Sequence, residues 1–162
     1  MRELALSLVV VLLPIAVFVA ANRFLGGDQP RVIDPGPIVA DAKMVAGFPI
    51  SEPSGLSAGW RPTAASFRQV EGGRTLRIGY VTPSGAGVQF IQSSVPADQL
   101  VPAELSDAAV PEGVAELGGR SWQWYRARPG ERALVLREAQ RTVVIVGDAD
   151  AGELTEFAAA LR

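Results

Sequence analysis

Eighteen consecutive residues without a charge, Leu4 to Ala21 (LALSLVVVLLPIAVFVAA), divide this chain into a part that prefers hydrocarbon and a part that must fold in water. As a helix rising 1.5 Å per residue the run is about 27 Å long, close to the roughly 30 Å hydrocarbon core of a bilayer. Pro14 is compatible with such a helix, because neighbouring groups in a membrane re-satisfy the carbonyl that proline frees. A secretory signal peptide would instead carry a basic n-region, an apolar core of about 7–15 residues and a small-residue cleavage site. Val19-Ala20-Ala21 meets the last requirement, but Glu3 offsets Arg2 and the apolar run exceeds the length. The reading therefore favours a retained transmembrane anchor over residues 1–22, with cleavage before Asn22 as the alternative. The positive-inside bias is weak, with Arg2 on one side and Arg23 and Arg31 on the other. With three residues ahead of the run, the simplest single-pass topology leaves the C-terminal part outside the cytoplasm.

Residues 23–33 read as a linker, punctuated by Gly26-Gly27 and Pro30 and shorter than about 40 Å when fully extended. Residues 34–162 then have the size of one domain. Without Arg2, Glu3 and Arg23, which flank the apolar run, the chain keeps 13 basic and 16 acidic side chains, which gives no electrostatic footprint for nucleic acid or for anionic lipid. The 14 arginines against one lysine, with abundant alanine, glycine, valine and proline, reflect a GC-rich coding sequence. The chain has no cysteine, so no lipid-modified N-terminal cysteine anchors it and no disulfide braces it.

Asp34-Pro35 opens a helix whose apolar positions are Ile38, Ala42 and Val45 and whose stop is Gly47 and Pro49. Beyond Pro62 the period is mostly two. Ala65 and Phe67, then Leu76, Ile78 and Tyr80, then Val88 and Phe90, and finally Trp122 and Trp124, alternate with polar or small residues. Thr142 to Val146 (TVVIV) is continuously apolar and β-branched, as a central strand requires. Pro96 to Leu100 reads as a short helix. The chain closes on another helix, with Asp150 and Glu153 as a capping box and Leu154, Phe157, Ala158 and Leu161 on one face. Gly72-Gly73-Arg74 recurs as Gly118-Gly119-Arg120, and at this offset of 46 Leu76 meets Trp122 and Ile78 meets Trp124. The expected fold is α+β: a transmembrane helix, then an antiparallel sheet of about five to seven strands with helices packed on one face. The sheet would be built from two pseudo-repeated β-hairpin units, with chance similarity of two hairpins as the alternative.

The absence of histidine and cysteine removes His-dependent triads, thiol nucleophiles and the usual zinc, haem and iron–sulfur ligand sets. Lys43 has no Ser-x-x-Lys partner, no Walker A loop is present, and Gly85-Ala86-Gly87 sits between strands as a turn. No cofactor, metal or catalytic residue is expected. Glu112, Glu116 and Glu131 lie near one hairpin, but nothing in their spacing marks a hydrolytic pair. The candidate ligand or partner surface is aromatic: Trp122 and Trp124 share a strand face, Tyr125 follows them, and Trp60 precedes the first strand. Packing beneath the helices is the structural alternative for all four.

Taken as a set, the anchor with Gly26-Gly27-Asp28, Gly59-Trp60-Arg61-Pro62-Thr63, Leu76 to Pro83 (LRIGYVTP) and Gly118-Gly119-Arg120-Ser121-Trp122 resembles one family. These are the actinobacterial single-pass membrane proteins grouped as domain of unknown function 4245, and the resemblance extends to the terminal Glu153–Leu161 helix. It implies a cell-membrane anchor, an extracytoplasmic domain and an actinobacterial source, and it supplies no activity or site residues. Three functions follow as expectations. The first is a non-enzymatic envelope module, held in the bilayer through residues 4–21, that binds another envelope protein. The second is a carrier or sensor of an apolar or lipidic ligand, and the third a carboxylate-dependent hydrolase.

Overall fold

The structure, a computed structural model, describes residues 31–162. The apolar run and all but the last residues of the linker lie outside the described residues. Among the described residues no helix is long and apolar enough to cross a membrane.

Helix α1 (Gly36–Val45) begins one residue later than Asp34 would place it. Pro35 occupies the cap, and Asp34 Oδ1 accepts the Gly36 N–H at 2.9 Å. Seven strands follow: β1 (Arg61–Val70), β2 (Gly73–Val81), β3 (Gly87–Ser93), β4 (Val110–Leu117), β5 (Arg120–Arg126), β6 (Arg132–Arg137) and β7 (Thr142–Gly147). Helix α2 (Ala97–Leu105) follows β3, and α3 (Ala151–Ala160) ends the fold. All strands form one sheet in the order β1-β2-β3-β7-β6-β5-β4, antiparallel at every junction. The α+β architecture thus holds, and the β-branched run of β7 lies in the middle with every residue buried.

The helices are not confined to one face, which corrects the expectation. Leu76, Ile78, Phe90, Trp122, Leu134 and Ile145 pack with Val39 and Ala42 of α1 and Leu154, Phe157 and Ala158 of α3. The residues between them, Ile91, Val135 and Val144, pack on the other face against Leu100, Val101 and Leu105 of α2. A strand buried on both faces loses its alternation, which is why β7 reads as a continuous apolar run. The period-2 strands reveal one apolar face clearly, but their sequence does not say what covers the reverse.

The expected repeat fails in its register. β1-β2-β3 and β4-β5-β6 are two meanders that start at opposite edges and meet on either side of β7. Because every neighbour is antiparallel, β2 and β5 run in one direction and β3 and β6 in the other. Only a two-fold rotation about the strand direction near β7 relates such meanders, and it exchanges the faces of the sheet. An offset of 46 instead keeps Leu76, Ile78, Trp122 and Trp124 on one face, a mirror relation that no rotation produces. The ladders agree: Ile78 lies opposite Phe90, whereas Trp124 lies opposite Leu134 rather than Leu136. The tight turns do correspond one residue later, Val70–Gly73 with Leu117–Arg120, and a one-residue slip is what exchanges faces.

Between α1 and β1 the chain forms a strap without regular structure, fastened by a buried polar cluster. Gln92 holds the Ser51 backbone twice, accepting its N–H at 2.8 Å and donating to its carbonyl at 2.9 Å. Arg141, also buried, donates to Gln92 Oε1 at 2.8 Å, to Ser51 Oγ at 3.0 Å and to Glu138. The strap then pairs with the C-terminus, where Glu52 and Arg162 exchange two backbone hydrogen bonds of 3.1 Å.

Candidate functional site

The four aromatic candidates do not form one surface. Trp122 is fully buried on the α1/α3 face, with its Nε1 unpartnered among the described residues. Trp124 is half-buried on that same face, with the Arg132 guanidinium 4.5 Å above its ring. Trp60, just before β1, enters the same core, edge-on to Tyr80 at 6.3 Å and tilted against Phe157 at 5.2 Å between ring centres. Its indole N–H donates to Glu156 at 3.3 Å, and Glu156 also accepts the Ser57 N–H at 2.7 Å. The Ser57 bonds, with that of Trp60, hold the Glu156 carboxyl below the usual carboxylate range. Tyr125 is buried on the opposite face among the α2 contacts.

The acidic candidates are mostly committed to arginines. Glu112 accepts from Arg126 at 2.7 Å and from Arg132 at 3.1 Å, and these guanidinium hydrogen bonds hold its carboxyl below the usual range. Glu131 pairs with Arg128 at 3.2 Å, while Glu116 is exposed on β4. Among the described residues no group of three or more acidic side chains is placed to hold a metal ion.

One opening that the fold creates lies on the α2 face. A cleft of about 300 Å3 runs between α2 and the β1–β2 hairpin, lined by Val70, Thr75, Arg77, Val95, Leu100 and Glu104 among others. That volume is at the lower end of the range for small-molecule sites. Two elements build it for different reasons. The hairpin projects Thr75 and Arg77 to this face because Leu76 and Ile78 are drawn into the opposite core. α2 buries Leu100, Val101 and Leu105, and so turns Ala103 and Glu104 toward the cleft.

The inner polar groups of this wall, Thr75, Arg77 and Glu104, are already partnered, whereas the exposed Glu71 and Gln99 at its rim have no side-chain partner among the described residues. Arg77 makes a two-pronged ion pair with Glu104, and this hydrogen bond raises the guanidinium pKa above its ordinary value. Thr75 Oγ1 and Ser93 Oγ share a hydrogen bond of 2.7 Å. Inside that rim the cleft offers apolar surface, and Val70 is 40% exposed. The sequence reading missed this cleft. The alternation around Leu76 and Ile78 signals that Thr75 and Arg77 share the other face, but nothing local signals that Glu104 of a helix 27 positions away meets them.

Among curated proteins and among solved structures, none matches this chain. A family model described as "Protein of unknown function (DUF4245)" matches residues 1–161, nearly the whole chain including the apolar run and the α3 helix. The chain belongs to that family.

Proposed function

We propose that this protein is a non-enzymatic interaction module of an actinobacterial cell envelope, anchored by residues 4–21 and displaying its domain outside the cytoplasm. Its cleft between α2 and the β1–β2 hairpin takes apolar side chains of another envelope protein. The observation that carries this reading is the cleft itself: mainly apolar, open to solvent, with its inner polar groups Thr75, Arg77 and Glu104 already paired and only Glu71 and Gln99 left at the rim. The resemblance of the N-terminal run to a bilayer-length helix supports the anchor. The commitment of Glu112 and Glu131 to arginines supports a role without hydrolysis.

Carriage of an apolar or lipidic ligand is the second reading, and the same cleft supports it. An open groove favours a partner's side chains over a lipid tail, because small-molecule sites enclose most of their ligand's surface. Site-specific photocrosslinking in native membranes separates the two. With p-benzoylphenylalanine in place of Ala103, the full-length chain should give one protein adduct of defined mass, absent when the probe replaces Ala40 on α1. Val70→Asp should abolish that adduct. A lipid adduct alone would transfer the assignment to the second reading, and no adduct at all would remove both.

A further inference from the structure

We propose a second ligand site on the α2 face, an anion-binding cleft organised by Arg137 and taking a small carboxylate or phosphate borne on a hydroxylated frame. It is independent of the apolar cleft, and it is lined by Val114, Ser121, Gln123, Tyr125, Val135 and Arg137 from three neighbouring strands. Its volume of about 190 Å3 admits one anionic group and about a single ring.

Arg77, Arg126, Arg128, Arg132 and Arg141 each face a carboxylate. Arg137, like Arg61, Arg68, Arg74 and Arg120, makes no ion pair among the described residues. Its Nη2 donates to the Tyr125 hydroxyl at 2.9 Å, and this uses one of the five N–H donors of a guanidinium. That single bond positions the group without neutralising it. As the acceptor in that bond, the Tyr125 hydroxyl keeps its own proton for a ligand. The phenol ring is buried, so donor and guanidinium are held on a rigid floor with Val135. A guanidinium fork beside a phenolic O–H is suited to a planar carboxylate or a phosphate.

Other groups in the cleft select what surrounds the anion. The Gln123 side chain donates its N–H groups to the Gly113 carbonyl at 2.6 Å and to the Trp124 carbonyl at 3.2 Å. Its orientation is thereby settled, and its Oε1 is left to accept from a ligand hydroxyl. Ser121 adds a hydroxyl that can donate or accept. Across from Ser121 on β4, outside the lining of the cleft, stands the exposed Glu116, whose charge disfavours excess negative charge on the ligand. A sugar acid or a sugar phosphate carries this combination of one anion with neighbouring hydroxyls. The anion can be free, or it can be the head group of a phospholipid.

The test is NMR titration of the full-length, isotopically labelled chain in nonionic micelles, with glucuronate and inorganic phosphate as probes and glucose as the neutral control. Glucuronate should produce saturable shifts centred on Ser121, Gln123, Tyr125 and Arg137, phosphate weaker ones, and glucose none. Arg137→Gln should raise the Kd roughly 10-fold, as expected for loss of a charged hydrogen bond, and Arg137→Lys should recover part of it. Glu116→Gln should lower the Kd by about twofold, the effect of removing one nearby, solvent-screened negative charge. Arg137 and Glu116 are both exposed, so these variants keep the fold, which an unchanged Tm verifies. A second arm compares nanodiscs of phosphatidylglycerol with nanodiscs of phosphatidylcholine. Shifts at Arg137 with phosphatidylglycerol but with neither soluble anion would assign the site to a head group. Absence of shifts in both arms, or shifts that survive Arg137→Gln, would overturn the proposal.

Discussion

Tyr80 illustrates how burial of a single residue becomes a property of the whole protein. Its ring packs edge-to-face with Phe157 at 5.0 Å, and burial, with the Glu52 charge adding to it, pushes its hydroxyl pKa up to about 12. An ordinary tyrosine ionises near pH 10. Between those values the unfolded chain releases a proton that the folded chain retains, so stability falls as pH rises and is unaffected below about pH 10. The full effect is of the order of 2–3 kcal/mol, at about 1.4 kcal/mol for each pH unit. Tyr80→Phe should therefore match the parent protein in urea unfolding at pH 8 and resist unfolding better at pH 11. Equal midpoints of the two proteins at pH 11 would remove this account. Trp122 carries a related lesson, because its indole is buried for its area while the N–H goes unpartnered among the described residues. An aromatic pair at i and i+2 signals a common face, and that much the structure retains. Whether such a face is a surface or a core depends on what lies over it.

Among the elements, those whose local signals agree with one another are legible. β7 is recognisable from its β-branched run, and α3 from Asp150, whose Oδ1 accepts the Glu153 N–H at 2.8 Å. Only half of the expected capping box forms. The Glu153 carboxylate instead accepts from Ser84 N–H at 3.1 Å and Ser84 Oγ at 2.9 Å, fastening the β2–β3 turn to the helix. β4 is not legible, because Pro111, Glu112 and Gly113 interrupt any period and the strand is exposed along most of its length. Such a composition suits a sheet edge, where proline and charge discourage further pairing. The contact between β3 and β7 is legible only in three dimensions. A Cβ on Gly147 would overlap the Gly87 carbonyl oxygen, while Asp148 accepts the Gly87 N–H at 2.7 Å across the same junction. Gly147→Ala should separate these strands and destabilise the protein by about 1–3 kcal/mol, the usual cost of overpacking. Chemical denaturation measures it, and an unchanged midpoint would mean that the junction yields without cost.

At the scale of the molecule, the decisive feature is a central strand buried on both faces, with α1 and α3 on one side and α2 on the other. Placement of the domain outside the cytoplasm is a proposal about the whole chain, and the absence of cysteine makes it directly measurable. A single Ala108→Cys, in the exposed loop before β4, should react with a membrane-impermeant maleimide added to intact cells. The unsubstituted chain should not react. Labelling only after the cells are lysed would place the domain inside and reverse the topology.

The amino-acid sequence by itself determined what depends on neighbours along the chain. Alternation identifies most of the strands, capping residues and glycines mark helix ends and turns, and the uncharged run over residues 4–21 declares its preference for hydrocarbon. The tertiary structure alone decided which face each helix covers, which arginines find carboxylates, and where clefts remain. The physical reason is that strand pairing joins residues far apart in sequence, and a register change of one residue exchanges the faces. Local signals survive such a slip unchanged. The company of Arg77 and Arg137 does not: a guanidinium neutralised by Glu104 and one left open beside Tyr125 look alike until the sheet is assembled.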